Sequence, residues 1–294
     1  MIDEFLSCDW DEAPDAMDFE RPYAEVIGRS AELVSLLSAR AASGGHGDDE
    51  RERRRTWAAA GELFVLAPAI VNVALNHSVC VQFGLPLHPT EYFEVDQAAE
   101  PVVRYSDEDR DEAFATLERS IALARAAYAL DPAFGGLAAA YGSSLPHGIG
   151  GFVYTSRRDK YTWRAAEPAK VRALASSVLK AGRPSLAIGA AHGAIMAGLF
   201  LAELLGCELW FLRFSMFKRN DAEPVVSARD ERKIRSYGAG SGILVFDEDS
   251  ASGATLSLLS ARVKAMAPEA RTGAVIRHQS AAFRPDHVGR VWWD

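Results

Sequence analysis

One stretch limits what this chain can fold into more than any other: Gly242-Ile243-Leu244-Val245-Phe246-Asp247-Glu248-Asp249-Ser250-Ala251-Ser252-Gly253-Ala254-Thr255-Leu256. Its run of β-branched and aromatic apolar residues stops at three acids, the pattern of a buried strand that ends at a polar site. Small residues follow, and Thr255 opens an apolar helix carrying Leu256, Leu258, Leu259, Val263 and Met266. A small-residue loop feeding a helix N-terminus leaves backbone N–H groups free, and the helix dipole adds partial positive charge, so the turn is an anion cradle suited to phosphate. The acids before it suit a different partner, sugar hydroxyls or a magnesium ion. Phosphate on one side and hydroxyls on the other describe a sugar phosphate.

Four apolar residues, two acids, three variable residues, Thr or Ser, Gly, any residue and Thr form a pattern that resembles the phosphoribosyl pyrophosphate signature of the type I phosphoribosyltransferases. Asp247 and Glu248 match its acidic pair. Ala251, Ser252, Gly253, Ala254 and Thr255 match its 5'-phosphate loop, with Ser252 where Thr is commoner. The resemblance implies an α/β fold, a Rossmann-like mainly parallel sheet flanked by helices (the type I phosphoribosyltransferase core), over residues 151–294. The bland alternative is a generic strand, turn and helix with a polar turn.

An apolar content of 49% and a mean hydropathy of −0.05 allow a sizeable core over 294 residues. The net charge of −8 and pI near 5.5 argue against a nucleic-acid partner. Cys8, Cys80 and Cys207 are widely spaced with no zinc or disulfide pattern, which suggests a reducing compartment. The acidic N-terminus does not resemble a secretion signal, and the apolar run Leu63 to Leu75 is broken by Pro68 and Asn72 and too short to span a bilayer. A cytoplasmic location without membrane contact is the expectation.

Residues 1–150 read as a mostly helical region of unassigned role. Residues 1–22 suggest an irregular arm or short helix, Ala24 to Ala42 a helix, and Arg51-Glu52-Arg53-Arg54-Arg55 a solvated helix start or mobile loop. Trp57 to His77 reads as a buried helix bent near Pro68, and Asp107 to Leu130 as a helix capped by Ser106 or Asp107. Gly135 to Gly151 reads as a glycine-rich junction loop. The helical half leaves open a pocket lid, a dimerisation element making a homodimer, or a partner surface.

In the second half, Phe152 to Trp163 suggests a hairpin turning at Ser156-Arg157-Arg158-Asp159, and Pro168 to Ala181 an amphipathic helix. Ser185 to Gly189 reads as a strand running through Ala190, Ala191, His192, Gly193 and Ala194 into a helix from Ile195 to Leu205, a second anion cradle. It resembles the family's pyrophosphate loop, where His192 either donates to pyrophosphate or is structural. Glu208 to Phe217 reads as a strand followed by Lys218 and Arg219, matched to the family's post-strand basic pair, which neutralises leaving pyrophosphate. The polar stretch Asn220 to Gly242 reads as a basic closing loop. Thr272 to Arg277 is the last predicted strand. After it, Gln279, the Pro285-Asp286 segment and an aromatic, Trp292 or Trp293, are matched to the family's base pocket, the tryptophans having core closure as the rival reading.

The activity implied is transfer of ribose 5-phosphate from phosphoribosyl pyrophosphate to a heterocyclic base. Magnesium would bridge pyrophosphate and ribose hydroxyls, with Asp247 and Glu248 on the hydroxyl edge directly or through water. Relatives that use 6-oxopurines carry an aspartate where Ala251 stands and a lysine where the alignment puts Gln279, so an amino-bearing or unusual heterocycle fits at least as well as hypoxanthine or guanine. Asp249 departs from the motif's usual apolar third position and either alters the local field or caps the loop. The alternative class is a binding protein that senses phosphoribosyl pyrophosphate or a nucleotide without turnover.

Overall fold

A computed structural model of the chain describes residues 1–6, 8–43, 49–88, 93–96, 99–214, 216, 221–238 and 242–293. The chain divides into two compact units, a helical one of Met1–Ser78, Leu87–Glu91 and Ser106–Lys160, and an α/β one of Val79–Pro86, Tyr92–Tyr105 and Tyr161–Asp294.

After two short 3-10 turns (Ile2–Phe5 and Asp15–Met17), the helical unit holds a short strand β1 (Phe19–Pro22), α1 (Tyr23–Ala42), α2 (Glu50–Phe83) up to Ser78, α3 (Asp107–Ala129) and α4 (Phe134–Ser143), and then β2 (Val153–Ser156). Helix α1 buries Tyr23, Val26, Ile27, Val34 and Leu37, the helical spacing of one apolar face. The Tyr23 hydroxyl donates to the Ile70 carbonyl at 2.7 Å and meets the Tyr141 hydroxyl at 2.7 Å, which ties α1 to α2 and α4. Helix α3 starts in a reciprocal cap, Ser106 Oγ accepting from the Asp109 N–H at 3.0 Å while Asp109 accepts from the Ser106 N–H at 2.8 Å.

Helix α2 is longer than the apolar run alone indicates. The arginine run forms its exposed first turns, and the helix continues through Pro68, whose carbonyl accepts from Asn72 Nδ2 at 3.1 Å. By length and composition α2 would pass for a membrane span, but 83% of its apolar window is buried inside the fold, as for a core helix. The glycine-rich segment read as a junction loop holds α4, because Phe134, Ala138 and Tyr141 recur at helical spacing and are buried. The hairpin expected over Phe152 to Trp163 does not form. β2 pairs antiparallel with distant β1, and Asp18 accepts from the Arg158 N–H and Nε at 2.7 Å each, fastening the turn to the N-terminal segment.

The α/β unit runs α5 (Lys160–Ala165), α6 (Pro168–Lys180), β3 (Leu186–Ala191), α7 (Ala194–Leu205), β4 (Glu208–Arg213), α8 (Ala228–Gly238), β5 (Ile243–Ser250), α9 (Ala254–Lys264), β6 (Arg271–His278) and β7 (His287–Trp292). Its five strands are all parallel in the order β4-β3-β5-β6-β7. The chain moves outward from β3 to β4, crosses back to β5 and continues the other way, so the order reverses between β3 and β5. Ligands of such open sheets bind outside the carboxyl ends of the strands at that reversal.

Helices α6 and α7 share one face, α8 and α9 the other. A Cβ on Gly198 of α7 would come 2.7 Å from Phe246 and 3.0 Å from Phe211, so β4 and β5 direct these rings at α7. On the opposite face Trp210 Nε1 donates to Asp230 of α8 at 2.9 Å, and Arg262 of α9 pairs with Glu231 of α8 at 2.6 Å. Helix α8 replaces much of the expected closing loop. It was hidden because Ile234 is its buried apolar residue and its other anchors are the polar groups Asp230 and Arg262 touch. Strand β7 lies beyond the last expected strand. At its start Asp286 accepts from the Thr272 N–H and hydroxyl at 2.7 and 2.8 Å, at the amino ends of the strands, so Asp286 fastens β7 and lies away from the carboxyl-end site.

Candidate active site

The carboxyl ends of β3 and β5 bring together most of the residues singled out by sequence. Because strand side chains alternate, Glu248 and Ser250 share Phe246's face, toward α7, while Asp247 and Asp249 face α9. The acids therefore divide between both sides of the sheet edge.

On the α7 face, Ala190 and Ala191 end β3 and His192-Gly193 enters the helix. The Glu248 carboxylate packs directly on Gly193, occupying the space a Cβ would fill, so only glycine permits this approach. Glu248 Oε2 is buried and accepts no hydrogen bond among the described residues. On the neighbouring strand Arg213, in register with Ala191, is 1% exposed and holds Asp221 at 2.7 Å. Its Nε and Nη1 are buried without an acceptor among the described residues. An arginine thus flanks the α7 N-terminus on the β4 side and a glutamate flanks it on the β5 side.

On the α9 face, Asp247 is buried, and its Oδ1 accepts from the Glu248 N–H at 3.1 Å. Burial, followed by the Asp249 charge, pushes Asp247 up to about 6. Burial, followed by the Asp247 charge, raises Glu248 well above the usual carboxylate range. Asp249 meets His278 Nε2 at 3.0 Å across from β6, an orientation of the imidazole that adjacent strand ends make possible. The 5'-phosphate-type loop follows: Ala251 and Ser252 are exposed, Ser252 Oγ accepts from the Ala254 N–H at 3.2 Å, and Gly253 takes a left-handed conformation with φ 82°. Phe283 covers Gly253, and the Ala282 N–H reaches the Ser252 carbonyl at 3.2 Å. Thr255 lies in the first turn of α9.

The remaining candidates are placed differently. Lys218 and Arg219 lie outside the described residues. Gln279 is exposed in the turn after β6, where its N–H donates to the Trp292 carbonyl at 2.9 Å. Trp292 carries Arg164 over its ring at 4.3 Å, so one indole face is already stacked, and Trp293 is 69% exposed. Arg213, Ser250, Arg277, His278 and Phe283 were not singled out by sequence. For the two arginines the available signal was a lone cation closing an apolar strand.

Two adjacent carboxylates raised chiefly by burial, one with an unused oxygen, fit a cation that keeps most of its waters. No cluster of three or more metal-ligating side chains forms among the described residues, so magnesium would be held by Asp247 and Glu248 with substrate oxygens.

No family model and no curated protein matches the chain. Solved structures match its C-terminal portion. A purine phosphoribosyltransferase from Pyrococcus horikoshii Ot3 is 20% identical over 42% of this chain and 79% of that one, with a TM-score of 0.33. The Helicobacter pylori xanthine-guanine-hypoxanthine phosphoribosyltransferase is 18% identical over 42% and 79%, with a TM-score of 0.32. A hypothetical protein from Neisseria gonorrhoeae with bound ppGpp is 15% identical over 45% and 80%, with a TM-score of 0.35.

Proposed function

We propose that the α/β unit is a phosphoribosyltransferase that moves ribose 5-phosphate from phosphoribosyl pyrophosphate to a ring nitrogen of a heterocyclic base. The observation that carries this reading is the acid pair at the strand-order reversal, set between two helix N-termini. Each N-terminus offers unpaired N–H groups and a positive dipole end to an anion, and the acids between them accept from ribose hydroxyls. The charges at the α7 edge support one donor direction in this reading, with pyrophosphate toward Arg213 on β4, ribose toward Glu248 on β5 and the 5'-phosphate over the Ser252–Thr255 turn.

In the reaction the base nitrogen's lone pair forms the bond to C1 as the C1–oxygen bond breaks, and both electrons leave with pyrophosphate. The nitrogen's proton, where it has one, passes to solvent. Positive charge develops on the ribose ring in the transition state, so nearby carboxylates stabilise it, while the arginine and the α7 dipole stabilise the leaving charge. Bound magnesium would supply further neutralisation of pyrophosphate.

The test is pyrophosphate release from phosphoribosyl pyrophosphate with magnesium across a panel of free bases, repeated with Asp247→Asn and Glu248→Gln. Release that depends on both acids supports the transferase. Tight donor binding with no release for any base would sink it in favour of a sensor.

A further inference from the structure

Helix α7 has no side-chain cap at its N-terminus, and the space beside its first residue is filled from within the protein. In a turn that takes phosphate, glycine lets the ligand come up to the backbone. Here the Glu248 carboxylate stands where a Cβ on Gly193 would lie. A phosphate oxygen and this carboxylate cannot share that space.

The carboxylate is poorly held in this position, because Glu248 Oε2 is buried and accepts no hydrogen bond among the described residues. Two groups with unused donors lie a short way along the same face. Ser250 Oγ and Arg277 Nη1 are each buried without a partner among the described residues. Ser250 follows Glu248 by two residues on β5 and stands in register with Arg277 on β6. Gly273 of β6 faces Leu174 of α6, so Arg277, four residues on, faces the same side as Glu248 and Ser250. With strands about 4.8 Å apart and a two-residue rise of about 6.6 Å, the Glu248 and Arg277 backbones are about 8 Å apart, which two long side chains bridge. A buried acceptor lacking a donor and two buried groups with donors to spare, within reach of one another, are the two ends of one side-chain movement.

Resting on the transferase reading for the identity of the incoming group, we propose that Glu248 is a gate on the α7 cradle. Seated on Gly193, it closes the cradle to oxyanions. Turned toward Ser250 Oγ and Arg277, it opens the cradle to the donor's pyrophosphate and gains the hydrogen bonds that it lacks when closed. The turn keeps it at the β5 end, where the ribose hydroxyls meet it. The cradle's affinity is then reduced by the fraction of molecules in which the gate is shut.

The experiment titrates inorganic pyrophosphate into the full chain in EDTA, so that neither metal nor turnover enters. Calorimetry reads affinity, and the Gly193 and Ala194 amide resonances report the site. Glu248→Ala, which leaves the cradle open, should bind pyrophosphate about 10- to 30-fold tighter than the unaltered protein. Glu248→Gln keeps the bulk without the charge and should gain less, about two- to fivefold. Arg277→Met removes the partner of the open position. It should weaken binding about three- to tenfold in the otherwise unaltered protein, yet change it by less than about twofold in Glu248→Ala.

Pyrophosphate affinity in Glu248→Ala no higher than in the unaltered protein overturns the proposal, and so does a silent Gly193 amide in that variant. An equal gain for Glu248→Gln also overturns it, since charge repulsion alone then accounts for the effect. An Arg277→Met loss that is missing from the unaltered background, or that persists in Glu248→Ala, does the same. Failure to release pyrophosphate with any base, with these affinity differences intact, defeats the transferase reading and leaves the gate standing.

Discussion

The two helix N-termini at the sheet edge share one local grammar and differ in what closes them. The β3–α7 turn is backed by the protein's own carboxylate, Glu248 on Gly193, with Arg213 alongside. The β5–α9 turn is open, its Ala251 and Ser252 exposed, with Phe283 pressing on Gly253 from behind. An N-terminus flanked by charged side chains discriminates by electrostatics and suits the end of the substrate whose charge changes. One made of backbone and small residues holds a group whose charge stays constant.

The largest effect should come from the acids that lie between the turns. Asp247→Asn and Glu248→Gln should each lower pyrophosphate release by about 100- to 1000-fold, the size of losing one preorganised charge at a reacting centre. Neither should weaken the fold. A carboxyl whose folded value is raised contributes stability that is present below its unfolded value and lost as pH rises through the folded one. For Asp247 that window runs from 3.8 to about 6. Asp247→Asn should therefore raise the melting temperature at pH 8 and change it little at pH 3.5, and a lowered melting temperature at pH 8 would contradict the burial argument.

Gly193→Ala attacks the first turn alone. The new Cβ meets the end of a flexible side chain, so Glu248 swings away: stability should change by less than about 1 kcal/mol, whereas kcat/KM should drop about 10- to 100-fold. Paired measurement of melting and steady-state kinetics checks the split.

Gly253→Ala should behave in the opposite way. Its φ of 82° strains any side chain, and the Cβ would lie 2.5 Å from that of Phe283. A loss of about 1–3 kcal/mol in denaturant unfolding is expected, of which Phe283→Gly in the same chain, by removing that Cβ, recovers only the steric part. Full recovery would show that the backbone is unstrained. The smallest effect is expected for Thr255→Val, which removes one hydroxyl from the open turn and should raise the donor's KM about threefold with kcat unchanged.

Both turns were legible because each is a contiguous word of sequence: an apolar run, small residues, then an apolar helix. The acids at Asp247 and Glu248 stood out for the same reason. What stayed hidden depends on neighbours far apart in the chain. The Asp249–His278 contact requires β5 and β6 to be adjacent, and the facing of Arg213 and Arg277 is defined only once the helices are assigned to sides of the sheet. β1–β2 pairing joins Phe19 to Ser156 across the helical unit, which no local alternation can announce. Helix α8 escaped because charged side chains, rather than an apolar stripe, hold much of it in place.

Helix α2 begins in one compact unit and ends in the other, with Val79–Pro86 counted among the α/β residues. There Gln82 Oε1 accepts from Arg229 Nη1 at 3.3 Å, and Arg213 lowers the otherwise raised Cys80 thiol. The sheet unit is thus a discontinuous domain whose earliest piece leaves the ribosome long before β3 is made. Domains that fold as units close only when their last piece arrives, so the apolar end of α2 must stay shielded through that interval. A gene fragment encoding only the strands would be born without this segment.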